Sequence, residues 1–153
     1  MILIKQTEIR IMIIYDMKTE DLINPIGIDE KKPRFSWKLQ SKISGTVQTA
    51  YRIIVRSDND TVWDSGKVLS SSMHADYPLT LASRGRIEWS VTLWDENDLE
   101  GEPSETAYFE TGLLSASDFT AKWISGNYRV NRKNRYPVDC FKKQFAAQNI
   151  AKA

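Results

Sequence analysis

The sequence contains very little of the chemistry that metal-binding and disulfide-rich proteins need. It has one cysteine, Cys140, and one histidine, His74, among 153 residues. A single thiol forms no intrachain disulfide, and one histidine with one cysteine falls short of the ligands of a structural zinc site. We therefore expect no disulfide framework, no metal site and no cofactor.

Long hydrophobic runs and an excess of charge of one sign are also missing. The longest apolar run near the start, Ile11 to Tyr15, is five residues, whereas an export signal needs roughly 7 to 15 and a membrane span about 20. Lysine and arginine number 21 against 20 acidic residues, a net charge of +1. These absences predict no membrane partner, no nucleic-acid partner and a cytoplasmic location.

What the sequence does contain is a repeated alternation of apolar and polar residues. The alternation is clearest in Arg34 to Leu39, Tyr51 to Val55 and Ile87 to Trp94, and it is typical of strands that bury one face. Trp37 and Trp89 fall on the faces predicted to be buried. Shorter segments predict weaker strands at Ile9 to Lys18, Val62 to Trp63, Met73 to Tyr77 and Thr106 to Thr111.

Turn-forming residues separate these segments, and no long helical period interrupts them. About seven short strands in this pattern predict an all-β fold, an antiparallel β-sandwich of the immunoglobulin or fibronectin type III kind. The Cys…Trp…Cys pattern of antibody domains is absent, which favours the fibronectin-like variant. We expect the sandwich at residues 16–112, with residues 1–15 as an N-terminal extension or first strand.

The character of the sequence changes after Gly112. Leu113 to Phe119 is typical of a linker or a short turn of helix, and Cys140 to Phe145 predicts a last apolar strand. We interpret residues 113–153 as a linker and the truncated start of a following β-sandwich domain, or as an extra edge for the first sandwich. Since an unpaired strand recruits another chain, a homo-oligomer formed through Cys140 to Phe145 is one alternative.

Six short strings resemble the N-terminal region of bacterial α-L-rhamnosidases. They are NPIGIDEKKPRFSW from Asn24, QTAYRIIV from Gln48, VWDSGKV from Val62, FETGLL from Phe109, AKWI from Ala121 and FKKQF from Phe141. The resemblance implies that the first four belong to an N-terminal fibronectin-like sandwich and the last two open the next β-sandwich domain. It also implies that the family's longer chains hydrolyse terminal α-L-rhamnosides by an inverting mechanism in a downstream helical barrel.

No part of that barrel is present in the sequence, so we expect no catalytic residue in this chain. The adjacent acids Glu20 with Asp21, and Asp29 with Glu30, fall in turns where nothing raises a carboxyl pKa for acid catalysis. We expect instead a structural role, in which an exposed apolar face near the tail packs on the other domains of the parent glycosidase. Such packing would orient those domains or shape the entrance to the active site.

Trp63 and Trp94 carry the main alternative, a carbohydrate-binding module. Sugar rings stack on exposed aromatic faces. Trp94 falls on the polar face of its strand and Trp63 lies at a turn, so we expect both to meet solvent. The same two side chains would serve equally as contacts to a neighbouring domain, and the sequence leaves the two interpretations open.

Overall fold

The computed structural model describes residues 12–129, 131, 133, 135 and 138–146. Its contacts divide the chain into two units, Met1–Phe119 and Thr120–Ala153. The domain boundaries expected at residues 16–112 and 113–153 stay predictions. The strands of the first unit are β1 (Met12–Thr19), β2 (Ile26–Ile28), β3 (Arg34–Ser41), β4 (Ala50–Ser57), β5 (Asp60–Asp64), β6 (Val68–Leu69), β7 (His74–Asp76), β8 (Arg86–Trp94) and β9 (Ala107–Thr111).

The strands form two sheets. One has the order β1-β3-β7 and the other the order β2-β9-β8-β4-β5, with β6 also paired to β4. Neighbouring strands are antiparallel except β2 and β9, which run parallel. The prediction of an all-β, immunoglobulin-like sandwich is confirmed, and the purely antiparallel pairing is corrected at this one strand.

The core lies where the inner faces of the two sheets meet. Phe35 of β3 and Trp89 of β8 are both fully buried, and their rings stack with centroids 4.4 Å apart. Trp37 is 2% exposed, so both tryptophans predicted to face the core do so. The indole N–H of Trp89 donates to Oγ1 of Thr19, also buried, over 3.2 Å. This bond ties the end of β1 to the opposite sheet.

Each strand predicted between residues 9 and 111 corresponds to an observed one, while β2 and β6 were not expected. Those two strands have three and two residues, too few for an alternation of apolar and polar positions to be visible. Residues 1–11, which include most of the expected N-terminal extension and the start of the strand expected from Ile9, lie outside the described residues. The β4–β5 hairpin turns through Asp58 and Asn59, whose φ angles are 50° and 71°. Two such residues are typical of a type I′ turn, which matches the twist of the paired strands.

The second unit, Thr120–Ala153, is irregular in its described part. The strand expected at Cys140 to Phe145 is wrong, since residues 138–146 have no regular structure and every one of them is exposed. No described strand offers that segment backbone partners, and a lone strand has nothing against which to bury its apolar side chains. The homo-oligomer expected through this segment stays a prediction.

Two further expectations concern the linker and the membrane. The short turn of helix predicted within Leu113 to Phe119 is confirmed as a 3-10 helix, Ala116–Asp118, which belongs to the first unit. Among the described residues, no helix is long and apolar enough to cross a bilayer.

Candidate functional site

Trp63, the first candidate tryptophan, lies in β5 and is half-buried. It pairs across the ladder with Val55 of β4. Its indole meets the ring of Tyr77 edge-on, with centroids 6.1 Å apart and ring planes at 84°, which is a favourable arrangement for aromatic rings. The indole therefore packs toward the core, and only part of its surface is open to a ligand or a neighbouring domain.

Asp64 holds the end of β5 in place. The Nε of Arg52 donates to Oδ1 of Asp64 over 2.9 Å, and its Nη2 contacts the other carboxylate oxygen. The backbone N–H of Gly66 also donates to Oδ1 over 2.9 Å, and this glycine has a φ of 60°, a conformation that glycine adopts without strain. Oγ of Ser65 accepts from the Ile53 N–H over 2.8 Å. The Asp-Ser-Gly part of the VWDSGKV string thus builds a structural turn.

The same contacts set the acidity of Asp64. The hydrogen bonds from Arg52 are the largest cause, and the Gly66 N–H adds to them, so the pKa of Asp64 falls from 3.8 to about 2. A carboxylate bound to a guanidinium stays ionised at neutral pH. It is therefore unsuited to the role of general acid, which requires a raised pKa.

Trp94 ends β8, and the expectation that it meets solvent is wrong. It is 7% exposed, although its position in the alternation places it on the outer face of the sheet. The Nζ of Lys67 lies 4.7 Å from the centroid of its ring, a cation–π contact, and Lys67 also pairs with Asp98. The chain after β8 folds back so that Glu100 bridges to Trp94. These neighbours cover the indole.

The most open tryptophan is one that the sequence analysis did not single out. Trp123, in the second unit, is 95% exposed, and Phe145 in the same unit is 82% exposed. Trp123 lies outside any strand, so alternation gave no signal about its exposure. Both of the sequence's candidate tryptophans are more covered than Trp123.

The acids of the loops are engaged in local structure. Oε1 of Glu20 accepts from the Arg34 backbone N–H over 2.6 Å, and the Arg34 guanidinium donates to Asp76 over 3.1 Å. Oδ1 of Asp95 accepts from the Asn97 N–H over 2.8 Å. Among the described residues, no group of three or more His, Cys, Asp or Glu side chains is placed to hold a metal ion. Glu20 and Asp95 thus stabilise the loops in which they lie, while Asp76 pairs with Arg34 at the end of β7.

An apolar edge lies along β1 and the chain segment that leads into β2. We define it by Ile13, Tyr15, Ile23 and Ile26, which are 45%, 45%, 66% and 60% exposed. The first three line a groove of about 420 Å³, and Ile26 continues the edge on β2. Apolar side chains grouped in this way are typical of an interaction surface. The sequence did not locate this edge, because its residues alternate separately in two sheets and a loop.

Comparison with known proteins identifies the family to which the sandwich belongs. The family model described as Rha78A-like, N-terminal immunoglobulin domain, matches residues 14–115. The chain belongs to this family. The match begins within β1 and ends after β9, so this immunoglobulin domain includes most of both sheets, the apolar edge except Ile13, and the turn that follows Trp63.

Relatives of this immunoglobulin domain are much longer proteins. The α-L-rhamnosidase of Alteromonas sp. (strain LOR) is 40% identical over 114 residues, which are 69% of this chain and 12% of that protein. The solved α-L-rhamnosidase of Dictyoglumus thermophilum is 41% identical with a TM-score of 0.69, covering 73% of this chain and 14% of its own. That of Streptomyces avermitilis, complexed with L-rhamnose, is 37% identical with a TM-score of 0.71, covering 74% and 12%. The chain spans about an eighth of these relatives.

We expect the carboxyl pKa of Asp64 to lie near 2 in the folded protein and to rise toward 3.8 in Arg52→Met, because the largest cause of the shift is removed. The folded pKa is the lower one, so the contribution of this ion pair to stability is present above about pH 4 and is lost as the pH falls through about 2. Carboxyl NMR titration measures the pKa. A stability difference between the wild type and Asp64→Asn that stays constant across this window contradicts the assignment.

We expect tryptophan fluorescence to show no saturable change when rhamnose-containing glycans are titrated into this chain. The reason is that Trp94 is covered by Lys67 and Trp63 packs on Tyr77. The matched control is Trp123→Phe, which removes the signal of the most open indole. A saturable change that survives in this control and disappears in Trp63→Phe would reveal a carbohydrate site on β5.

Proposed function

We propose that this chain is a non-catalytic accessory module of an α-L-rhamnosidase, which packs through its apolar edge on other domains of the same polypeptide. The supporting observation is the apolar edge itself, where Ile23 and Ile26 keep about two thirds of their surface exposed. Burying such side chains stabilises an interface by roughly 25 cal/mol per Å² of apolar area. The module thereby orients its neighbours or shapes the entrance to their active site.

The length of the relatives favours a domain of the same polypeptide as the occupant of this edge. The matched region is 12% of the Alteromonas protein, so most of a full-length relative lies outside it. A covalently attached domain meets the edge at an effective concentration in the millimolar range. Docking within one polypeptide therefore requires only a modest interface.

The chemistry of the parent is part of the same proposal. The parent hydrolyses terminal α-L-rhamnosides by inversion, and its general acid and base belong to a part of the polypeptide that this chain lacks. Inversion needs two carboxyl groups roughly 6.5 to 9.5 Å apart, one of them with a raised pKa. Glu20 and Asp64 are each bound by an arginine or its backbone, which supports a structural use of the acids. The cytoplasmic location expected from the sequence also stays a proposal.

We expect no turnover when this chain is incubated with a chromogenic α-L-rhamnoside under conditions in which the Streptomyces avermitilis enzyme is active. Glu20, Asp64 and Asp95 accept hydrogen bonds from backbone N–H groups, and the contacts with Arg52 and Gly66 lower the pKa of Asp64. The measurement is release of the chromophore after repurification of the chain. Turnover that survives repurification and disappears when an acidic residue is substituted would overturn the non-catalytic assignment.

We expect the apolar edge to carry the docking in a chimera in which residues 12–119 replace the matched segment of the Streptomyces avermitilis enzyme. Ile23→Lys with Ile26→Lys should lower the thermal midpoint of the chimera by several degrees, because a buried unpaired ammonium group is costly. The matched control is Leu69→Lys, since Leu69 lies on β6 and is 81% exposed.

The same substitutions in the isolated 153-residue chain serve as the folding control. Their effect there should be small, because both isoleucine side chains are already largely in water. Equal thermal midpoints for the edge variant and the Leu69→Lys chimera would show that the apolar edge is not the docking surface.

A further inference from the structure

The chain leaves the sandwich through a segment that is hydrogen-bonded on both sides. At Gly112, the backbone N–H donates to the Ile28 carbonyl over 2.7 Å and the carbonyl accepts from the Arg84 N–H over 3.0 Å. A Cβ added to Gly112 would lie 2.9 Å from the Gly27 carbonyl oxygen, closer than side-chain carbons normally come. The backbone at Gly112, directly after the end of β9, therefore packs tightly between two neighbouring loops.

Thr111 and Leu114, on either side of this tightly packed glycine, are also held in place. Thr111 is 4% exposed; its Oγ1 accepts from the Gly85 N–H over 2.8 Å and donates to the Ala82 carbonyl over 2.7 Å. Leu114 packs against the core, and its N–H donates to Oγ of Ser83 over 2.8 Å. The loop before β8 therefore binds the exit segment through both backbone and side-chain groups.

Asp118 links the end of this exit segment to the same loop. Its Oδ2 accepts from Oγ of Ser83 and from the Ser115 backbone N–H, the latter over 3.1 Å. Ser115 in turn caps the 3-10 helix, so the two residues form a capping box. Nη2 of Arg84 donates to the Asp118 carbonyl over 3.3 Å. One carboxylate thus joins the short helix to the loop before β8.

We propose that the Ser83–Asp118 contact makes residues 112–118 a rigid exit arm, which fixes the direction in which the chain leaves the sandwich. Residues 113–117, LLSAS, lie outside any strand, and a segment of this kind is mobile unless contacts hold it. Here Oγ of Ser83 accepts the Leu114 N–H and donates to Asp118, whose carboxylate also accepts the Ser115 N–H, so Asp118 is a positioning residue. The inference rests on the proposed function in one respect: a fixed exit direction matters because further domains follow in the relatives.

The test follows the backbone of the full 153-residue chain by NMR. In the wild type, ¹⁵N heteronuclear NOE values at Leu114 and Ser115 should equal those of β8. In Asp118→Ala they should fall, and the Leu114 amide should exchange with solvent about tenfold faster, the order expected when a supporting hydrogen bond is lost. The amides of Val91 and Leu93 in β8 report that the sandwich remains folded.

Three further variants show whether the effect of Asp118→Ala comes from the lost Ser83–Asp118 contact or from the loss of a negative charge. Ser83→Ala should reproduce the lower NOE at Ser115, since it removes the other partner of Asp118; its Leu114 exchange is not used, because Ser83 Oγ is itself the acceptor of that amide. Asp118→Asn keeps an acceptor oxygen and should restore most of the protection. Glu102→Ala removes an exposed acid of another loop and should change neither readout.

The proposal is overturned by either of two results. One is a wild-type exit arm with the low NOE values of a disordered chain, and the other is Asp118→Ala with unchanged NOE and exchange. These readouts need no partner domain. Failure of the edge experiment in the chimera therefore leaves the exit arm standing, and a mobile exit arm leaves docking through the apolar edge standing.

Discussion

The stack of Phe35 on Trp89 is the contact on which the rest of the sandwich depends. The two rings come from different sheets, are both fully buried and lie with centroids 4.4 Å apart. Phe109 packs beside them at 6.1 Å, and the bond from Trp89 to Thr19 adds the end of β1. Buried aromatics contribute both area and geometry, so this cluster sets the spacing of the sheets and the place at which the first strand ends.

Both features on which the proposals rest, the apolar edge and the exit arm, lie outside this filled core. The outer face of β8 is also covered, as the burial of Ser90, Thr92 and Trp94 shows. The apolar edge exposes isoleucine side chains, whereas polar groups of the exit arm are hydrogen-bonded to the sandwich. The proposed docking therefore rests on the apolar edge, and the proposed exit direction rests on the arm.

Sequence reasoning predicted the strands and the two core tryptophans because alternation over six or more residues reflects one buried face directly. It failed where the cause is tertiary. The alternation of apolar and polar residues placed Trp94 correctly on the outer face of the sheet. Lys67, which covers it, is 27 positions earlier in the chain. Nothing in LLSASD indicated that Ser83 would bind Asp118, and the Cys140 to Phe145 pattern predicted a strand for which no partner is described. The resemblance, by contrast, gave the family correctly because it used whole strings.

A fixed exit and an apolar edge reinforce each other energetically. An interface between two domains must overcome the loss of their relative freedom, and a pre-organised connection reduces that loss before any contact forms. Among the described residues, five hydrogen bonds join the arm to the rest of the sandwich and impose this restriction. The exposed isoleucines then need to supply only the remaining free energy of docking. On this proposal, an intramolecular partner needs a smaller interface than the roughly 1,200 Å² or more that a specific complex of freely diffusing partners buries.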